Sequence, residues 1–112
     1  MSGRRSREKG AAWERTVVNK FRYCMPDVDL DIKRGLQYRT GEETADIDMP
    51  VFWPECKAHK RVNIKAALRQ SAATAPKGRI PIAITKDDRQ APLATLLLED
   101  FLDLVREWWM RR

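Results

Sequence analysis

The sequence predicts an α/β fold in which a central mixed β-sheet is flanked by helices. Apolar residues recur at helical spacing near both ends of the chain, short apolar segments typical of strands lie between them, and an alanine-rich helical segment separates two of those strands. With 112 residues, 43% hydrophobic and 34% charged, the chain suits one globular domain. We expect that domain over residues 10–112, after a flexible basic arm at residues 1–9.

The first part of the chain is expected to form a helix followed by strands. Apolar and small residues at helical spacing predict a helix over residues 6–24, which Pro26 ends. Residues 28–33 alternate between apolar and polar side chains, which predicts a strand with one exposed face. A second strand is predicted over residues 37–40, with a turn at residues 41–43.

The middle of the chain is mostly apolar but contains two prolines. Pro50 and Pro54 cannot donate a backbone hydrogen bond, so residues 45–57 are expected to form two short strand segments. Asn63 is a favourable N-cap for the alanine-rich helix, which ends before Pro76.

The last part is expected to add a buried strand over residues 80–85 and a polar loop over residues 86–89. Residues 93–98 suit either a last strand or the start of the terminal helix, and we favour the strand. Glu99 or Asp100 is expected to cap the final helix. Its apolar stripe consists of Phe101, Leu104, Val105 and Trp108, widened by Leu102 and Trp109.

Charge and cysteine content limit the partners and metals. Lysine and arginine total 22 against 16 acidic residues, a net charge of +6, which favours a polyanionic partner such as nucleic acid. Cys24, Cys56 and His59 are too few for a four-ligand zinc site, so any metal should be bound through oxygen. With neither a leader nor a membrane span in sequence, we predict a cytoplasmic protein with reduced thiols.

The candidate chemistry is carried by two acidic residues and a lysine. On a strand, Glu55 and Lys57 share one face and Cys56 points to the other. A turn between the two strand segments would bring Asp46 beside Glu55. Two carboxylates and a main-chain carbonyl suit Mg²⁺, beside which a lysine orients a nucleophile or stabilises charge on a phosphate. The alternative is an ordinary salt bridge between Glu55 and Lys57.

Glu14 is the second unusual acid, because it lies on the face of the first helix that should be buried. An isolated buried carboxylate is costly. Either Glu14 pairs with a base such as Lys57, or it reaches toward a shared metal ion. The alternative is that it lies at the edge of the stripe, exposed to water.

In this order, these residues resemble the PD-(D/E)XK nuclease superfamily, and within it the small archaeal-type and phage Holliday junction resolvases. The resemblance spans most of the chain, from residues 9–14 through residues 40–48 and 53–57 to the alanine-rich helix, as far as about Gln70. It implies a restriction-endonuclease-like α/β sandwich that uses Mg²⁺, with Mn²⁺ as a substitute. The implied catalytic residues are Glu14, Asp46, Glu55 and Lys57; the implied metal ligands are Asp46, Glu55, the Cys56 main-chain carbonyl and, additionally, Glu14.

The sequence departs from the family pattern at two places. Ala45 stands where the family has a proline, and Asp48 offers a second carboxylate, so Asp46 is chosen by the order of the motifs. Pro54 also directly precedes Glu55. The family often has a polar residue on the next helix, for which Gln70 is the candidate; its alternative is an ordinary surface residue.

Two basic groups are candidates for binding the DNA backbone. Phosphate contacts set affinity and make it depend on salt without reading sequence. The alternative is a solvated helix face. The candidate DNA-binding residues are Arg4, Arg5, Arg7 and Lys9 in the arm, and Lys60, Arg61, Lys65, Arg69 and Gln70 after the motif.

The resemblance implies a structure-specific endonuclease that cuts branched DNA, with the four-way junction as substrate and, if the gene is a phage gene, the host cytoplasm as its location. A generic restriction or repair nuclease and a catalytically inactive DNA-binding module remain open alternatives. We expect no organic cofactor and no membrane association. A homodimer is expected because a junction has two-fold symmetry and the last helix has surplus apolar surface, unless its tryptophans complete the core.

Overall fold

A computed structural model of the chain describes residues 2–35 and 45–112. The strand and turn predicted over residues 37–43 lie outside those ranges. The elements in chain order are α1 (Ser2–Cys24), a 3-10 helix η1 (Pro26–Asp31), β1 (Lys33–Arg34), β2 (Ile47–Asp48), β3 (Phe52–His59), α2 (Ile64–Thr74), β4 (Ile80–Asp87), β5 (Leu93–Thr95) and α3 (Leu98–Arg111).

The strands form one mixed sheet of three strands and one antiparallel pair. β3 and β4 are parallel, in register from Phe52 opposite Ile80 to His59 opposite Asp87, and α2 connects them. β5 runs antiparallel on the other side of β4, and β1 pairs with β2 separately. The predicted α/β class, with a mixed sheet and flanking helices, is therefore confirmed, whereas the restriction-endonuclease-like arrangement stays a prediction.

The two flanking helices are attached to the sheet by apolar packing and a few polar bonds. α1 buries Val17 and Val18 in a core shared with Ile32, Ile47, Met49 and Cys56. On α2, Asn63 caps the helix by accepting the Ala66 N–H at 3.0 Å, as predicted. Buried Ser71 donates to the carbonyl of Trp53 and accepts the Ile82 N–H, which fixes α2 to both parallel strands.

The first helix is longer than predicted. It begins at Ser2 rather than Ser6, so residues 2–9 of the predicted arm continue α1. Arginine, lysine and glutamate are good helix formers, and Arg4 pairs with Glu8 one turn later at 3.2 Å. The flexibility of the arm and the domain boundary at residue 10 stay predictions.

The strand predicted over residues 28–33 is wrong for most of its length. The chain forms η1 instead, with N–H donations from Val28 to Met25 and from Ile32 to Asp29. Leu30 is 84% exposed while Ile32 is fully buried, so the two do not share a face. Proline and closely spaced aspartates favour such local turns over an extended ladder.

β3 is one uninterrupted strand despite Pro54. The Pro54 carbonyl accepts the Asp46 N–H at 3.0 Å, on the edge of β3 away from β4. A proline on that outer edge removes no hydrogen bond to β4, so the strand continues through Pro54. Residues 45–57 still form two strand segments as predicted, β2 and β3, and the break between them includes Pro50.

The final strand and helix divide differently from the prediction. β5 ends at Thr95, and α3 begins at Leu98 after Leu97, which makes no side-chain cap bond. Glu99 and Asp100 lie in the first turn, where their negative charges interact favourably with the positive end of the helix dipole. The prediction that one of them is the N-cap is wrong, because Leu97 holds that position.

Candidate active site

Asp46 is held against the outer edge of β3. Its Oδ2 accepts the main-chain N–H of Cys56 at 2.8 Å, while its own N–H donates to the Pro54 carbonyl at 3.0 Å. These two bonds flank Glu55, the residue between Pro54 and Cys56. A third bond, from the Gly35 N–H to the Asp46 carbonyl at 2.9 Å, ties the same residue to the end of β1.

The turn that leads into β3 explains this placement. Phe52 N–H donates to the Pro50 carbonyl at 2.9 Å, which closes a tight three-residue turn around Val51. Val51 has φ +75°, a conformation that is costly for a β-branched residue. The carbonyl of Val51 accepts the Ile80 N–H at 2.8 Å, so the turn is fixed to the start of β4.

Glu55 and Lys57 share one face of β3, as predicted. Lys57 Nζ lies 3.4 Å from Glu55 Oε2, and the intervening Cys56 packs in the core. Glu55 is only 6% exposed, whereas the lysine side chain is partly open to solvent. A buried acid and an accessible ammonium group therefore lie side by side.

Burial gives Glu55 an unusual acidity. Burial and the negative charge of nearby Asp46 together raise the pKa of Glu55 to about 7, against the opposing charge of Lys57. When protonated, Glu55 also hydrogen-bonds to Asp46. Near neutral pH a fraction of Glu55 is therefore protonated, and a nearby cation would favour release of that proton.

Glu14 approaches the same acids from α1. Its Oε1 accepts Arg34 Nε at 2.9 Å, and its side chain is 19% exposed. Burial raises the pKa of Glu14, the hydrogen bond from Arg34 opposes this, and Asp46 adds a repulsive charge. The base that pairs with Glu14 is therefore Arg34 rather than Lys57, and the Glu14 side chain is only partly open to water.

Arg34 is the site residue that the sequence did not indicate. It lies in β1, twenty positions from Glu14, directly after the segment whose predicted strand was wrong for most of its length. Nothing in the spacing of the charged residues marks it, because its role depends on how η1 folds the chain back onto α1.

The thiol of Cys56 has no chemical role in this arrangement. Burial raises its pKa strongly, and the charges of Asp46, Glu14 and Glu55 raise it further, so the thiol stays protonated near neutral pH. Only the main chain of Cys56 takes part, through the N–H that binds Asp46.

The three acids, Glu14, Asp46 and Glu55, are called here the carboxylate cluster. Among residues 2–35 and 45–112, no three His, Cys, Asp or Glu side chains form a ready-made metal site. The donor chemistry of the cluster nonetheless fits Mg²⁺, which takes carboxylate and carbonyl oxygens and retains waters. Asp48 is exposed and stands opposite Lys33 in the register of β1 and β2, whereas Asp46 is the aspartate that bonds to β3.

The basic residues of α1 differ in whether their charged groups are exposed or already paired with an acidic residue. Arg5 and Arg7 are exposed, and Arg4 is paired with Glu8. Lys9 forms an ion pair with Asp88, in the loop after β4. Lys9 therefore attaches α1 to that loop in addition to carrying charge.

A polar cleft of about 440 Å³ lies beyond the carboxyl ends of β3 and β4. Lys60 and Arg61 line it, and both also line an adjoining cleft with Arg89. These three cations form no ion pair with any residue that the structure describes. Asp87 in the same cleft accepts the Val62 N–H at 2.8 Å. Arg89, predicted only as part of a loop, thus joins two candidate DNA-binding residues.

The candidates on α2 lie on its open side. Lys65 and Arg69 are exposed one turn apart, on the face opposite buried Ala67 and Ser71. Gln70 is also exposed, so its side-chain amide is accessible from solvent.

No helix within the two described ranges has the length and hydrophobicity that a membrane span requires. Comparisons with protein-family models, with curated proteins and with solved structures found no match to this chain.

Proposed function

We propose that this protein is a Mg²⁺-dependent endonuclease that hydrolyses phosphodiester bonds in branched DNA, with the four-way junction as its substrate. One observation carries the proposal: the bond from Cys56 N–H to Asp46 Oδ2 places an aspartate beside the strand that presents Glu55 and Lys57. An acid from α1 joins them. This combination matches the motif order of the PD-(D/E)XK nucleases that the sequence resembles.

Each residue of the site has a proposed role. Asp46, Glu55 and the Cys56 carbonyl would hold Mg²⁺, or Mn²⁺ in its place, with Glu14 as an additional ligand. Mg²⁺, when bound, supplies positive charge that activates water and stabilises charge on the phosphate. Glu55 would have to be ionised to serve as a ligand, so metal binding would be linked to loss of its proton. Lys57 donates to the attacking water or to the scissile phosphate.

Arg34 is proposed as a positioning residue. Its bond to Glu14 at 2.9 Å orients the carboxylate and neutralises part of the charge that Asp46 and Glu55 place nearby. Replacing Arg34 should therefore raise the pKa of Glu14 further and weaken metal binding without removing a ligand.

The cationic surfaces are proposed to bind the DNA backbone. Lys60, Arg61 and Arg89 surround the clefts beyond β3 and β4, and Lys65 and Arg69 extend the positive surface along α2. Phosphate contacts of this kind give affinity without sequence preference. The same role is proposed for Arg4, Arg5, Arg7 and Lys9 on α1 and for Gln70 on α2.

A cleavage assay with matched substrates tests the proposal. A labelled four-way junction and a linear duplex of the same sequence are incubated with the protein in Mg²⁺ or in EDTA. We expect cleavage of the junction in Mg²⁺ alone. Equal cleavage of the linear duplex would indicate a generic nuclease, binding without cleavage a DNA-binding module, and neither binding nor cleavage would contradict the proposal.

A further inference from the structure

Thr85 is a buried polar residue whose hydroxyl group has no partner in the described protein. It lies in the second half of β4 and is only 2% exposed. Within residues 2–35 and 45–112, no group forms a hydrogen bond with this hydroxyl. Buried polar groups in native proteins are nearly always hydrogen-bonded, because an unpaired one costs free energy. The hydroxyl therefore calls for a partner that the described residues do not supply.

Thr85 lines the polar cleft of about 440 Å³ beyond the carboxyl ends of β3 and β4, which is called here the Thr85 cleft. Lys60 and Arg61, in the segment after β3, form another part of its wall. In the parallel register of the sheet, Thr85 stands opposite Lys57. Residues that face each other on parallel strands present their side chains on the same face of the sheet. The Thr85 cleft therefore begins on the face that carries Lys57 and Glu55.

The charges around the Thr85 cleft favour an anion. Both acids of its wall are engaged: Asp87 accepts the Val62 N–H at 2.8 Å, and Asp88 forms an ion pair with Lys9. The cations at the cleft form no ion pair with any described residue, and an anion with several oxygens would neutralise them while giving the buried hydroxyl an acceptor. These cations are Lys60, Arg61 and Arg89.

The turn that carries Arg89 holds this residue in a conformation that suits glycine better. Gln90 N–H donates to the Asp87 carbonyl at 3.1 Å, which closes a four-residue turn, and Arg89 has φ +63°. The Asp88 N–H donates to the His59 carbonyl at 3.1 Å, which fixes the same turn to the end of β3. Non-glycine residues kept at positive φ are concentrated at functional sites. The backbone of Arg89 is therefore held in place beside the cleft before any ligand binds.

We propose that the Thr85 cleft binds a phosphate monoester, with the Thr85 hydroxyl, Lys60, Arg61 and Arg89 as its contacts. A monoester carries about −1.5 to −2 charge near neutral pH and three acceptor oxygens. A phosphodiester of the DNA backbone carries only about one negative charge. Three unpaired cations and one hydroxyl donor around a single cleft therefore match the monoester better.

Two sources share this chemistry, the terminal phosphate of a nucleic-acid strand and a free nucleotide. For a strand, the inference deepens the DNA contact proposed above for the same cations, on which it then rests. Binding of the monoester itself requires neither Mg²⁺ nor cleavage. A chain that binds the monoester and cuts no DNA would therefore contradict the nuclease and leave this inference standing.

Fluorescence anisotropy in EDTA tests the site with short labelled single strands of one sequence. The strands carry a phosphate at the 5′ end, at the 3′ end or at neither end. One phosphorylated strand should bind more tightly than the unphosphorylated strand by about tenfold or more. Competition by adenosine 5′-monophosphate, but not by adenosine, would identify a free nucleotide as a ligand, and no competition a strand end. Equal binding of all strands, with no competition by the nucleotide, would overturn the proposal.

The Thr85 hydroxyl is tested by two substitutions. Thr85→Val keeps the branched shape without the hydroxyl and should weaken the phosphorylated strand by about tenfold, with no effect on the unphosphorylated strand. Thr85→Ser should keep the preference, as should the control Lys77→Ala in the exposed turn after α2. A preference that survives in Thr85→Val would show that added charge alone attracts the strand, which contradicts the site. A lower melting temperature of Thr85→Val without phosphate would also contradict it, because the hydroxyl would then have a protein partner.

Arg89→Gly separates ligand binding from stability. Glycine suits φ +63°, so the melting temperature should stay the same or rise when the guanidinium group is removed. The phosphorylated strand should nonetheless bind about tenfold more weakly, because one charged contact is lost. Unchanged affinity in this variant would contradict the proposed contact of Arg89 with the phosphate.

Discussion

Asp46 Oδ2 lies 2.8 Å from the main-chain nitrogen of Cys56, so an acid that directly precedes β2 takes the place of a carbonyl at the edge of β3. Glu55 directly precedes Cys56 in the sequence. The bond to Cys56 therefore also holds Asp46 close to Glu55. Structure and chemistry thus depend on the same carboxylate.

Replacing Asp46 should separate these two contributions. Asp46→Ala leaves the N–H of buried Cys56 without its acceptor, which should lower the free energy of unfolding by about 1–3 kcal/mol. Asp46→Asn retains an acceptor oxygen and should cost less. Urea denaturation in EDTA measures both. Equal losses would show that the hydrogen bond does not stabilise this edge.

The raised pKa of Glu55 predicts a dependence of stability on pH. Between its ordinary pKa of 4.5 and about 7, the folded chain holds a proton that the unfolded chain has lost, so the free energy of unfolding falls as pH rises through this window. Glu55→Gln cannot titrate at this position, so its free energy of unfolding should lack this fall with rising pH. Relative to wild type, the variant should therefore gain up to about 3 kcal/mol between pH 4 and pH 8.

Urea denaturation in EDTA at both pH values gives this difference directly. The exposed Glu107→Gln serves as the matched control and should show a constant offset from wild type. A constant offset for Glu55→Gln as well would mean that Glu55 titrates normally.

The tight turn at Val51 should tolerate glycine better than valine. At φ +75° a β-branched side chain is strained, and Val51 is exposed, so little apolar burial is lost on its removal. Val51→Gly should raise the free energy of unfolding by up to about 1 kcal/mol, whereas Val51→Ala, which keeps a Cβ, should gain less. Thermal melting compares the two, and a destabilised glycine variant would contradict a strained turn.

Local sequence patterns predicted the elements whose formation depends on neighbouring residues. Asn63 caps α2, and the alternation around Cys56 places Glu55 and Lys57 together. The patterns failed where contacts between residues distant in sequence determine the local structure. The pair between Arg34 and Glu14 requires η1, and the tolerance of β3 for Pro54 depends on which edge faces β4, which no local pattern contains.

The salt dependence of DNA binding should identify the residues that bind phosphates. Replacing Lys60, Arg61 or Arg89 by alanine should reduce the slope of log affinity against log salt by about one for each phosphate that the variant no longer binds. Lys77→Ala, in the exposed turn after α2, is the matched control and should leave the slope unchanged. Binding measured by fluorescence anisotropy between low and moderate salt gives the slopes. Unchanged slopes for all three variants would place the DNA elsewhere.

The central claim is that the carboxylate cluster and Lys57 cut DNA, and the single-turnover cleavage rate of a four-way junction in Mg²⁺ tests it most directly. Glu55→Gln should reduce the rate by about 100-fold or more, because it removes a proposed metal ligand, while Glu8→Gln, at an exposed glutamate of α1, should cut at the wild-type rate. Cleavage by Glu55→Gln at the wild-type rate would contradict the account.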